Sequence, residues 1–389
     1  MTRAGSIAIV GGRVVPVGRR HIQGGTVLVL DGRIAAVGTD VRLPEGVRVV
    51  DATGSWVLPG LVDAHTHVGI TEESIDGPGA DSNESSRPNA AGVRALDAVN
   101  IDDDGFRDAL MGGISTVNVK PGSGNPFGGL SITMKTWGGR TIDEQAIVST
   151  ASLKSALGEN PKTGGSSTHP QSRLGVASQI RQGFENARHY AAQEKGDVPL
   201  DLDLEALGRV LRRELPWDVH AHRRDDITTA MRIADEFGLR LILNHGTEAG
   251  PLAGLIAERA IPVIVGPIVG ARLKPELSRR SWATSAELHA AGVVVAIMTD
   301  HPETPIRSLA YQAAIAVGDG LEETAGLEAI TCNPARILGV EDRIGSLSPG
   351  LDGDVVIWSG NPLDGRSRVS FVTIDGVPVL EDGDVVERR

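Results

Sequence analysis

The chain is poor in cysteine, in positive charge and in long apolar runs, and each scarcity removes a class of function. Cys332 is the single cysteine among 389 residues, so no intramolecular disulfide can form and a reducing compartment fits. A net charge of −12 argues against a polyanion such as nucleic acid as partner. The apolar stretches around Ile261–Val269 and Val293–Met298 are too short to cross a bilayer, and Met1 to Gly12 lacks the apolar core of a signal peptide. The expectation is a cytoplasmic protein acting on a small molecule, with no nucleic-acid or membrane partner. A homo-oligomer is also expected.

What is present falls into three blocks. The 389 residues can bury a large core, and the length suggests one large domain with a smaller companion. Residues 6 to about 55 read as short strands, Ser6–Val10, Arg13–Val17, Gly25–Leu30 and Arg33–Val37, with Asp31-Gly32 as a hairpin turn. The stretch from about 344 repeats the style in Gly353–Trp358, Val369–Ile374 and Val377–Leu380, with Asp375-Gly376 between the last two. The middle alternates strand and helix patterns, the mark of βα units and a parallel sheet. Val57–Val62 and Ser115–Val119 are apolar enough for strands buried on both faces. Asp226 to Leu239 carries Ile227, Ala230, Met231 and Ala234 at helical spacing, stopped by Gly238. Counting strands onward from Val57 gives about eight, which points to an α/β, TIM-like (β/α)8 barrel. Its expected extent is 57–340, flanked by terminal β segments 1–56 and 341–389.

Two segments have the composition of covers over a site. Thr71–Asp104 is rich in Gly, Pro, Asn, Ser and acids, and Lys162–Arg173 has turn and linker chemistry. The first follows directly on the most informative feature of the chain, His65-Thr66-His67, which ends the run Trp56-Val57-Leu58-Pro59-Gly60-Leu61-Val62-Asp63-Ala64. Residues two apart on a strand face the same way, so both imidazoles converge on one point. Imidazole suits zinc and similar divalent ions. A lone His-x-His is more often a solvated loop pair, but His220, His245 and Asp300 stand at later strand ends and would complete a metal site.

These residues resemble the amidohydrolase superfamily of metal-dependent hydrolases, in its imidazolonepropionase-like and prolidase-like branch. Pro59-Gly60-Leu61-Val62-Asp63-Ala64-His65-Thr66-His67 matches the family's first-strand pattern in full, and the segments ending in His220, His245 and Asp300 follow in the family's order. The resemblance implies that the two chain ends combine into a small β-sandwich beside the barrel. It also implies a divalent metal, most often Zn2+, at one or two per chain. By position in the motif His220 takes the metal, and His222, on the same face, is placed to touch substrate or water. His245 is a ligand in binuclear members and a substrate contact in mononuclear ones. Asp300 is the candidate general base, since a carboxylate beside the metal can move a proton from water to a leaving nitrogen; capping the next helix is a compatible role. The bridging ligand has two candidates, Lys154, which would need carboxylation, and Glu159, which needs no modification and is preferred.

Gly122–Gly129 has phosphate-loop flavour but lacks the Gly-Lys-Ser/Thr ending, and reads as a tight backbone crossing. Asn125 within it, Lys135 beyond it and His301 after Asp300 are candidate substrate contacts. Lys120, like Lys135, offers a cation for a substrate carboxylate, although surface lysines are the commoner case. Asn333-Pro334-Ala335 matches a structural motif of the family. Together these readings imply hydrolysis of a C–N bond in an amide or cyclic amide. A deaminase on the same scaffold and a catalytically silent barrel are the alternatives.

Overall fold

The computed structural model describes residues 5–73, 77–162, 169–193 and 199–387. The N-terminal block forms β1 (Ile7–Val14), β2 (Ile22–Leu30), β3 (Arg33–Gly38), β4 (Arg48–Asp51) and β5 (Trp56–Pro59). The separate strands expected at Ser6–Val10 and Arg13–Val17 overlap one irregular strand, β1, because Gly11, at φ +79°, lets the chain bulge and continue. Asp31 and Gly32 both take positive φ, the backbone a two-residue hairpin demands, and join β2 to β3 as the sequence indicates.

The apolar run before the first histidine pair does not continue as one strand. It breaks at Gly60, so Trp56–Pro59 stays with the terminal strands while β6 (Leu61–Thr66) enters a different sheet. A Cβ on Gly60 would lie 2.0 Å from Ser115 Oγ, so only glycine fits where the chain passes between sheets.

The middle block continues with β7 (Ile114–Val119), β8 (Phe127–Leu130), β9 (Ile132–Lys135) and β10 (Ala146–Val148). After these come β11 (Leu153–Ala156), β12 (Trp217–Ala221), β13 (Leu241–His245), β14 (Val263–Val265) and β15 (Val295–Ile297). One sheet runs β10-β9-β7-β6, with β6 and β7 parallel. The other runs β15-β14-β13-β12-β11-β8, and β11 through β15 are all parallel. The two sheets touch at both margins. On one side Asp300 N donates to His65 O at 3.1 Å, and the Asp63 carboxylate accepts from Thr299 Oγ1 at 2.5 Å. On the other, Ser131, between β8 and β9, donates its N–H to Ser152 O at 3.0 Å.

Side-chain alternation explains the layering. Val62, Ala64, Ile242, Ile264, Ala296 and Met298 pack together in one cluster, while Val219, Leu243 and Val263 pack with the helices. Helix Arg224–Phe237 buries Ile227, Ala230, Met231 and Ala234 and ends at Gly238, φ +69°, which is the stop the sequence indicates.

The C-terminal strands β16 (Val355–Trp358), β17 (Val369–Ile374), β18 (Val377–Glu381) and β19 (Asp384–Val385) complete the terminal sheet. Its order is β19-β18-β17-β16-β5-β1-β2-β3, with β4 also on β1. β5 joins the two chain ends, parallel to β1 and antiparallel to β16. Among the described residues no helix is long and apolar enough to cross a membrane.

The first expected cover packs across β8, where Ala90 N donates to Phe127 O at 3.0 Å and Leu130 N to Val93 O at 2.8 Å, and along the loop before it, where Gly122 N donates to Ser82 O at 2.7 Å. Its residues 74–76, and 163–168 of the second expected cover, lie outside the described residues.

Candidate metal centre

Five imidazoles and one carboxylate gather at the ends of β6, β12, β13 and β15. Asp300 Oδ1 lies 3.2 Å from His65 Nε2 and 3.4 Å from His67 Nε2. His65, His245 and Asp300 offer ligand atoms within 4.8 Å of one another, and so do His220, His222 and His245. His245 belongs to both groups, so the cluster is two adjoining triads rather than one ring.

The backbone bends to make this possible. His245 and Asp300 adopt φ of +69° and +55°, a left-handed conformation that non-glycine residues seldom take. For His245 this turns the residue after Asn244 toward the same cluster. Such strain costs on the order of 1–3 kcal/mol per residue and gathers at functional sites.

Every one of the five rings is held by its Nδ1. His65 Nδ1 bonds Asn244 Oδ1 at 2.8 Å, His67 Nδ1 the Lys120 carbonyl at 2.7 Å, and His245 Nδ1 the Gly266 carbonyl at 2.9 Å. His220 Nδ1 meets Ser123 Oγ at 2.9 Å and His222 Nδ1 meets Thr247 Oγ1 at 2.7 Å. A carbonyl accepts only, so in the first three rings Nδ1 carries the hydrogen and Nε2 keeps a lone pair. Among the described residues, buried Nε2 of His220 and of His245 has no hydrogen-bond partner. An orphaned buried nitrogen is costly unless something binds it, and a divalent cation meets that need. Burial, reinforced by neighbouring Lys154 and the other imidazoles, holds His65, His220 and His245 well below the usual histidine range, and burial with Lys274 does so for His222. These rings are therefore neutral at pH 7, the form in which imidazole ligates.

The two candidates for the remaining ligand stand in different places. Lys154, on β11, is fully buried; its Nζ lies 3.4 Å from His65 Nε2 and 3.2 Å from the Pro121 carbonyl. Burial lowers its ammonium to about 8, Asp218 opposing and Lys120 assisting. Glu159 lies beyond the strand: its carboxylate is 3.7 Å from Arg173, and its N–H donates to Glu276. The preference for Glu159 from sequence is therefore not matched by its position, because the loop turns it toward Arg173 while β11 carries Lys154 inward.

The candidate substrate contacts are occupied elsewhere. Lys135 opposes Thr116 near the start of β7, whereas the end of β7 opposes Thr66 beside the histidines. Its ammonium sits between Asp354 at 2.6 Å and Asp352 at 2.9 Å, so it ties β9 to the terminal segment. Asn125 donates both amide hydrogens, to the carbonyls of Glu84 and Arg87, each at 2.7 Å, and so holds the covering segment. His301 is buried against Gly105, with Glu73 Oε1 3.6 Å from Nε2, and its ring is not among the clustered imidazoles. Lys120 is not a surface lysine: it is fully buried and paired with Asp218. Sequence reasoning missed Asn244, Asp218, Ser123 and Thr247, which hold histidines directly or through a neighbour. A polar residue one or two places before a clustered histidine on an apolar strand, Asn244 before His245 and Asp218 before His220, was the available signal.

The profile of the Amidohydrolase family matches residues 56–380. An amidohydrolase structure from Thermotoga maritima MSB8 superposes with a TM-score of 0.92 at 42% identity, covering 96% of this chain and all (100%) of that one. Amidohydrolase tasK of Hapsidospora irregularis is 27% identical over 94% of this chain, which spans 41% of that protein's length. An imidazolonepropionase of Mesorhizobium japonicum is 27% identical over 87% of each chain.

Proposed function

This chain belongs to the amidohydrolase family, hydrolases that act on carbon–nitrogen bonds, and from that premise we propose that it opens an amide or cyclic amide in a small molecule with a bound divalent metal, zinc being our choice. The observation that carries the reading is the set of five imidazoles anchored by Nδ1 with Asp300 beside them. Within the reading, the parallel strands form a (β/α)8 barrel and the terminal sheet curls into a sandwich against it.

His65, His67 and Asp300 would hold one ion, and His220 with His245 a second. Lys154 is our choice for the ligand between them. Its neutral amine, well populated near pH 8, can add CO2 with loss of a proton to give a carbamate anion. When bound, the metal supplies Lewis-acid polarisation of a carbonyl and lowers the pKa of a water molecule. Asp300 accepts a proton at its carboxylate and passes it to the departing nitrogen. His222, held by Thr247, presents its Nε2 to the substrate oxygen as a hydrogen-bond partner. The reading includes a homo-oligomer in a reducing cytoplasm, the latter supported by the single, partly buried Cys332.

The test is elemental analysis of metal-supplemented protein together with a screen of N-acyl amino acids, dipeptides and cyclic amides. At least one equivalent of a transition metal is expected, with hydrolysis abolished by chelators. Less than about half an equivalent, with chelator-insensitive turnover, would remove the metal assignment. Ammonia release without ring opening or acyl transfer to water would indicate a deaminase.

A further inference from the structure

Under the histidine cluster lies a buried polar network for which the proposed chemistry has no direct use. Lys120 is fully buried at the end of β7, where its N–H donates to Thr66 O at 3.0 Å. Its ammonium donates to Asp218 Oδ2 at 2.5 Å and to Asn244 Oδ1 at 3.1 Å. Ser152 Oγ adds a second hydrogen bond to Asp218 Oδ2, at 2.9 Å, and the Asn244 amide N–H donates to Asp218 Oδ1. The Asn244 oxygen, already facing the ammonium, also accepts from His65 Nδ1 at 2.8 Å. The backbone carbonyl of the same Lys120 accepts from His67 Nδ1 at 2.7 Å.

We infer that Lys120 is the positioning residue for His65, acting through its ammonium and Asn244, while His67 is held by the backbone carbonyl at the same position. The two ends of an asparagine amide are alike in shape, so shape cannot choose between them. Charge can. With the oxygen toward Lys120 and the NH2 toward Asp218, both contacts are attractive; reversing the amide makes both repulsive, among three fully buried residues where screening by solvent is weak. The chosen orientation presents an oxygen to His65, and an oxygen there requires hydrogen on Nδ1. A neutral ring with hydrogen on Nδ1 has its lone pair on Nε2, which faces Asp300 at 3.2 Å and Lys154 at 3.4 Å. The buried ion pair thus selects the imidazole tautomer one residue removed from it.

This rests on the metal role proposed for His65, but its first readout needs no metal. In metal-free protein, long-range 15N–1H correlation spectra distinguish the two tautomers of each ring. Wild-type His65 is expected as a single species with hydrogen on Nδ1. The double variant Lys120→Met/Asp218→Asn removes the ion pair without leaving a lone buried charge, so the fold is retained. In it, His65 should become a mixture of tautomers, while His67, bonded to a backbone carbonyl that any residue at 120 supplies, should not change. Zinc affinity, measured by competition with a chromogenic chelator, should fall at least about tenfold. An unchanged single His65 tautomer in the double variant, or wild-type His65 with hydrogen on Nε2, would overturn the inference. Failure of zinc to bind wild-type protein would instead remove the metal reading, and the tautomer spectra would still decide this one.

Discussion

Lys154 Nζ lies 3.4 Å from His65 Nε2, whereas the Glu159 carboxylate is 3.7 Å from Arg173. One candidate therefore faces the imidazoles and the other faces a guanidinium. Lys154→Ala is expected to lose at least one equivalent of metal and most activity, and to regain part of both with added short-chain carboxylic acids. Glu159→Gln should keep its metal. Metal loss in Glu159→Gln with full content in Lys154→Ala would reverse the assignment.

Asp300→Asn is expected to lower kcat by about 10²-fold or more while leaving the fold in place. Asparagine matches the shape but cannot accept the proton, and it tolerates the left-handed backbone at φ +55° better than most residues. A melting temperature near wild type with kcat above about a tenth of wild type would mean that another group is the base.

The site was legible where chemistry is written into local pattern. Apolar runs ending in histidine or aspartate marked β6, β12, β13 and β15, and Asp-Gly pairs marked two hairpins of the terminal sheet. What failed to read through was pairing at a distance. Nothing local to Lys135 shows that Asp352 and Asp354, more than 200 residues later, surround its ammonium, or that Asp218 does the same for Lys120. The break at Gly60 was equally hidden, because Trp56–Pro59 and Leu61–Thr66 look like one strand until Ser115 is placed against the glycine.

His222 sits with His220 and His245 and, like His220 on Ser123, is held by a hydroxyl, that of Thr247, whereas His245 is held by a carbonyl. His222→Asn is expected to retain its metal, with His220 and His245 still in place, and to lower kcat by about 10²–10⁴-fold. Loss of an equivalent of metal together with activity would make His222 a ligand rather than a substrate partner.

Lys135 separates a structural from a binding role most clearly. Its ammonium lies within 4 Å of three carboxylates, Asp354 at 2.6 Å, Asp352 at 2.9 Å and Asp375 at 3.6 Å, and so anchors β9 to the terminal segment. Lys135→Met takes the ion-pair partner from the buried Asp354 carboxylate, while Asp352 keeps Arg33 and Arg343, and should cost about 3–5 kcal/mol, with KM unchanged below the unfolding transition. A KM raised tenfold at wild-type stability would restore the substrate role expected from sequence. The same cluster fixes a pH dependence. Burial pushes the Asp352 carboxyl up, but hydrogen bonds from Arg343 and the nearby Lys135 ammonium outweigh it and hold the group below its ordinary value. A carboxyl depressed by folding stabilises the protein above its unfolded pKa of about 4, and that stabilisation is lost as pH falls through the folded pKa. Asp375, raised chiefly by burial, works in the opposite sense, so the comparison has to isolate Asp352. Urea midpoints of wild type and Asp352→Asn should therefore differ most at pH 6–7 and converge below about pH 4. A gap that stays constant from pH 7 to pH 3 would show that Asp352 stabilises by packing rather than by charge.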